Sequence, residues 1–200
     1  MGLVLVLLVI VAILALATLL IYNRMVARRN AVDNSWAQIE AALQRRHDLI
    51  PNLVEAVKGY AKHEKTTFEN VTKARNTAVK SGGDAPPQQA GVEAMLGAAI
   101  GRLMVVAEQY PELRATENFQ QLQAQLSETE NQIQITRRVY NDTVQTYNTF
   151  IQIFPPSIIA NAFNFEPREF FDAPKEAEAT PEVSFDQGEA PAAEAAEPKK

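Results

Sequence analysis

The chain has 200 residues, a formal net charge of −5, 46% hydrophobic residues and no cysteine. That length holds one core with appendages, and the acidic balance leaves no footprint for nucleic acid. The missing thiols exclude disulfides, thiolate zinc sites and lipoprotein acylation.

No charged side chain occurs before Arg24, and Arg28 and Arg29 follow it closely. The apolar run from Leu3 to Tyr22 is about 20 residues, which at 1.5 Å per residue matches the roughly 30 Å of a bilayer's hydrocarbon. A cleaved signal peptide is the competing reading. Ala15-Leu16-Ala17 offers a small-residue cleavage pattern, but Leu19, Leu20 and Ile21 continue the run and no basic side chain precedes it. An uncleaved anchor over residues 1–23 is the expectation. The Lys/Arg bias then sets the N-terminus outside and the body in the cytoplasm. Arg24, Arg28 and Arg29 become candidate contacts to anionic lipid.

Residues 24–172 read as helix throughout, with no strand-like alternation. Val32, Trp36, Ile39 and Leu43 make the first stripe; Leu53, Val57, Tyr60, Phe68, Val71 and Ala78 the second, with Glu64 in one of its inward slots. His47-Asp48-Leu49-Ile50-Pro51-Asn52 stands between them. There Asp48 can cap a new helix, or Asn52 can cap with Glu55 closing a capping box. A reversal at Pro51 is favoured and gives four antiparallel helices of about 22, 30, 22 and 39 residues; a kink instead carries the span on as one long rod.

Ser81-Gly82-Gly83-Asp84-Ala85-Pro86-Pro87 is a breaker cluster. Val92, Met95, Leu96, Ala99, Leu103, Val106 and Tyr110 follow as a third stripe. Thr116 is placed to cap the last helix, whose stripe is the most regular. Phe119, Leu122, Leu126, Thr129, Ile133, Thr136, Tyr140, Val144, Tyr147, Ile151 and Phe154 alternate steps of three and four, the pattern of a long bundle or coiled-coil helix. The predicted fold is therefore all-α: a transmembrane helix, then an up-and-down four-helix bundle with a long last helix. Residues 173–200 are rich in Ala, Pro and Glu and carry a net −4 of the chain's −5. That composition predicts a disordered acidic tail.

Chemistry is sparse. His63-Glu64 opens like a zinc protease motif, but Thr67 stands where the second histidine belongs. His47 and His63 are read as surface or helix-end residues. Glu64, Arg75 and Arg102 lie on or beside apolar stripes, where a Glu–Arg pair between helices is the structural expectation. Gly82-Gly83 is no phosphate loop, and Ser157 has no histidine nearby in sequence. The residues predict no catalytic group, no cofactor and no metal. Interaction surfaces are the better candidates. Asn141 and Asn148 accompany Tyr140 and Tyr147 at heptad spacing, a ladder between helices or protomers. Phe150, Phe154, Phe163 and Phe165 mark the most apolar stretch outside the span, able to tuck back, meet the bilayer or serve assembly. Val183 and Phe185 form an apolar island in the tail, suited to strand addition or groove docking.

Asn30-Ala31-Val32-Asp33-Asn34-Ser35-Trp36-Ala37-Gln38-Ile39, Arg45-Arg46-His47-Asp48-Leu49-Ile50-Pro51-Asn52-Leu53-Val54, Val57-Lys58-Gly59-Tyr60-Ala61-Lys62-His63-Glu64, Tyr140-Asn141-Asp142 with Tyr147-Asn148, and Phe154-Pro155-Pro156 together resemble the LemA family of bacterial proteins. The resemblance covers residues 1 to about 172, and Pro181-Glu182-Val183-Ser184-Phe185 is similar to the piece with which many members end. It implies a helical bundle behind one anchor, with a cytoplasmic body, and it carries over no catalytic residue. Members are associated with membrane-stress and membrane-protease genes, and one relative acts in forming magnetosome membranes. The expected function is that of a membrane-anchored scaffold or adaptor. Its expected partners are the membrane, further copies of itself, and a membrane protease or stress-system protein, without nucleic acid. Membrane remodelling through oligomerisation and lipid contact is the alternative.

Overall fold

A computed structural model describes residues 1–172, so Val183, Phe185 and the predicted tail lie outside the described residues. The described residues are all-α: α1 (Gly2–Lys58), α2 (Lys65–Lys80), α3 (Pro86–Glu108), α4 (Pro111–Arg114), α5 (Glu117–Gln152) and α6 (Pro156–Ala162). The large apolar side chains from Leu3 to Leu20 are each at least 50% exposed, and the most apolar window of α1 has a mean hydropathy of 3.4. A bare helix of this kind suits a membrane anchor. Helix α3 also has the length and composition to cross a membrane, with a lower mean hydropathy of 1.6; its Leu96 and Leu103 are fully buried.

The expected reversal at Pro51 does not occur. Helix α1 is continuous for 57 residues with Pro51 inside it. A proline lacks the N–H that would bond the carbonyl four residues earlier, here that of His47. Arg75 of α2 supplies the missing donor: its Nε bonds His47 O at 2.9 Å. Neither Asp48 nor Asn52 therefore caps a helix, and the lengths expected from a break there are replaced by 57, 16, 23 and 36 residues for α1, α2, α3 and α5. The turn falls later, at 59–64, where Gly59 ends α1 and Ala61 is buried.

Helices α1 and α5 make the most extensive packing and run antiparallel. Arg46 meets Glu130, Trp36 meets Tyr140 and Arg28 lies over Phe150, so one number falls as the other rises. The Thr116 hydroxyl caps α5 by accepting from Phe119 N at 3.4 Å. The predicted α5 stripe is buried from Phe119 to Ile151; only Phe154, two residues beyond the helix end, is exposed.

Two clusters form the core. The distal one joins Ile50, Leu53 and Val57 of α1 to Phe68, Val71, Leu96, Leu103, Phe119 and Leu126, so α1, α2, α3 and α5 all contribute. The membrane-proximal one joins Met25, Val32 and Ile39 to Tyr140, Val144, Tyr147 and Ile151, and is closed by Ile159, Phe165 and Phe171.

Candidate functional site

Two constellations stand out, one buried between the clusters and one at the end nearest the span. In the first, Glu93 of α3 is 4% exposed and both its oxygens are engaged. Arg46 Nη2 pairs with one oxygen, and His47 Nε2 donates to the other at 2.8 Å. Arg46 also reaches Glu130 of α5 at 2.9 Å. Burial pushes the Glu93 pKa up, but the His47 hydrogen bond and the Arg46 charge outweigh it and hold the carboxyl below its usual value. The cluster ties α1, α3 and α5 together, and its carboxylate is too fully engaged to serve as a free acid or base. Here His47 departs from expectation: it is buried in mid-helix, whereas His63 is exposed. The expected pair among Glu64, Arg75 and Arg102 is likewise replaced. Arg75 serves a backbone carbonyl, Arg102 is exposed, and Arg46 with Glu93 makes the ion pair instead.

The second constellation begins with the tyrosine–asparagine pairs of α5. Residues 164–172 run back along α5 as an extended strap. Tyr147 Oη donates to Glu166 O at 3.0 Å and Tyr140 Oη to Glu169 O at 2.9 Å. Asn148 closes a two-way bond with the backbone of Arg168, donating to its O and accepting from its N, both at 2.8 Å. Asn141 accepts from Phe171 N at 2.9 Å. The strap is also pinned by Arg168–Asp33 at 3.0 Å and Arg137–Asp172 at 2.6 Å. The ladder thus lies within one chain and holds a strap, because the side chains that could have faced another helix are spent on backbone groups. Thr129 and Thr136 turn to carbonyls of their own helix, those of Gln125 and Gln132. Burial raises the pKa of both Tyr140 and Tyr147, which keeps the two hydroxyls as donors.

The strap hangs from a corner formed by the end of α5 and by α6. Its inner residues Ile151, Pro156, Ile159, Ala160 and Phe165 are buried, while Phe154 is 80%, Ile158 61% and Phe163 55% exposed. The corner stands level with the last turn of the apolar run: the Tyr22 ring lies 5.0 Å from Phe163 and 5.7 Å from Phe165. Of the basic residues after the run, Arg28 sits over Phe150 at 4.5 Å and donates to Thr146 O, and Arg29 sits over Phe165 at 5.3 Å. Arg24 is exposed and lines a groove between α1 and the corner. An apolar helix, a cationic collar and an exposed aromatic edge at one level can engage a lipid surface.

A family model described as the LemA family matches residues 35–185. The chain belongs to the LemA family. The match ends on Phe185, the last residue of the Pro181-Glu182-Val183-Ser184-Phe185 segment. Relatives include magnetosome protein MamQ 1 of Paramagnetospirillum magneticum, 30% identical over 181 residues that cover 78% of this chain and 66% of that protein. MamQ of Magnetospirillum gryphiswaldense is 28% identical, covering 75% and 64%. Protein LemA of Metamycoplasma hominis is 24% identical, covering 76% and 68%. This LemA-family chain therefore spans about two thirds of the length of the magnetosome relatives it matches.

Proposed function

We propose that this LemA-family chain is a single-pass scaffold of the bacterial inner membrane, working by assembly with proteins and not by catalysis. The observation that carries this reading is the continuity of α1 from Gly2 to Lys58. Anchor and body share one helix, clamped by α5 and the strap, so the position of the span fixes the position of the body. Arg24, Arg28 and Arg29 on the body side support an N-terminus outside and a cytoplasmic body. The distal end is then an up-and-down bundle of α1, α2, α3 and α5. On α3, Met95 (69% exposed) and Val105 (59%) share an exposed face with Ala98, Gly101 and Arg102, a largely apolar surface with one cation that is suited to assembly with further copies. The relatives named as magnetosome proteins support a structural role, and a membrane protease or stress-system protein is the partner class this reading favours.

The test is the mass of the full-length chain in nanodiscs by light scattering. A defined oligomer is expected, and Met95→Glu should reduce it toward the monomer. A monomer at every lipid composition would sink self-assembly. A second reading, membrane remodelling, draws on the exposed Phe154, Ile158 and Phe163 beside Tyr22. It predicts that the purified chain deforms liposomes, which a pure adaptor leaves unchanged.

A further inference from the structure

The open groove between α1 and the α5–α6 corner has a volume of about 820 Å³ and is lined by Leu20, Ile21, Arg24, Phe150, Phe154 and Pro156 among others. We infer that it is a binding site for one anionic glycerophospholipid, with an acyl chain along Leu20, Ile21, Phe154 and Pro156 and the phosphate at Arg24. The inference rests on the membrane-anchor reading of residues 1–23.

Position argues for a lipid. Leu20 and Ile21 lie in the last turn of the apolar run, so a groove that they wall opens onto the same hydrocarbon that surrounds Leu16 and Leu19. Its other wall carries Phe154, 80% exposed, and Ile153, 48% exposed. A phenylalanine ring exposed at this level can bury itself at the boundary between headgroups and acyl chains.

Charge narrows the class. One turn beyond Leu20 the lining includes the polar pair Asn23 and Arg24, with Ala27 and Phe150 closing the body end of the groove. Arg28 and Arg29 are held over Phe150 and Phe165, whereas Arg24 has no hydrogen-bond or ion-pair partner among the described residues. A guanidinium presents a planar fork that fits phosphate oxygens. An exposed cation one turn past the apolar wall of Leu20 and Ile21 matches a headgroup next to its own acyl chain. The collar of three arginines is thereby divided: two brace the corner and one reads the lipid.

The experiment uses the full-length chain in nanodiscs with Phe154→Trp as reporter and brominated lipids as quenchers. Native Trp36 is an internal reference, about 21 Å beyond Tyr22 along α1 at 1.5 Å per residue. Leu14→Trp serves as the control for the span. Quenching of the residue-154 indole is expected from bromines high on the acyl chain. Brominated phosphatidylglycerol should show an apparent affinity about fivefold above brominated phosphatidylcholine, the effect of one basic side chain at the surface. Arg24→Gln should abolish that preference while Arg29→Gln keeps it. No quenching at residue 154 while Leu14→Trp is quenched would overturn the groove and leave the anchor standing. Equal quenching by both headgroups would reduce the site to a general interfacial contact. An unquenched Leu14→Trp would overturn the anchor reading itself.

Discussion

Glu93 lies between Arg46 and His47 with both carboxylate oxygens engaged, and its pKa is lowered from 4.5. A carboxyl that titrates lower in the folded state than in the unfolded one adds stability above the unfolded value. That stability is lost as pH falls through the folded value. The urea midpoint should therefore hold steady at neutral pH and decline below pH 4.5. Glu93→Gln should cost about 3–5 kcal/mol at neutral pH, because Arg46 is left buried without its main counter-charge. It should also flatten the acid decline, and an unchanged decline would show that other carboxylates cause it. Pro51 gives a second test at this scale. Arg75→Met leaves the His47 carbonyl without a donor, a loss of roughly 1–3 kcal/mol. In a Pro51→Ala background the backbone N–H returns and the same substitution should cost much less. Additive losses in that cycle would mean that Arg75 does not compensate the proline. No sequence reading could find this pairing, because a proline in mid-helix argues for a break unless a donor arrives from elsewhere. Here the donor comes from 28 residues away.

At the scale of elements, α5 was legible because its information is local. An apolar side chain every third or fourth residue dictates which face is buried, and that face is buried from Phe119 to Ile151. The strap was not legible, since Asn141 and Asn148 advertise hydrogen bonding without naming the partner. The same blindness applied to the basic collar. Arg24, Arg28 and Arg29 look equivalent in the chain, yet Phe150 and Phe165, more than a hundred residues on, take two of them. The strap is held mostly by side chain to backbone bonds, so it should be releasable without unfolding the helices. Replacing both Asn141 and Asn148 by Ala should accelerate amide exchange across 165–172 while leaving the α1 and α5 amides protected. Emission from Trp36 should shift to the red as well, because Phe171 packs against its ring at 5.6 Å. Retained protection at Arg168 and Phe171 would show that Phe165, Phe171 and the two ion pairs hold the strap by themselves.

The whole molecule is organised around a span that does not end where the body begins. Met25 is fully buried in the membrane-proximal cluster, and Tyr22 at the end of the apolar run touches Phe163 and Phe165. Cutting the chain at Asn30 to obtain a soluble body would therefore remove core as well as anchor. Loss of a buried Met side chain costs about 2–5 kcal/mol, and each aromatic pair adds roughly 0.5–1.5 kcal/mol. The distal cluster draws on α1 from Leu49 to Val57 and should survive. A fragment starting at Asn30 should thus keep slow exchange around Leu53, Leu103 and Phe119 but lose it in α6 and the strap. A fragment starting at Ile21 should recover that protection. If the two fragments exchange alike, the anchor is only a tether, and the rigid coupling on which the scaffold reading depends is wrong.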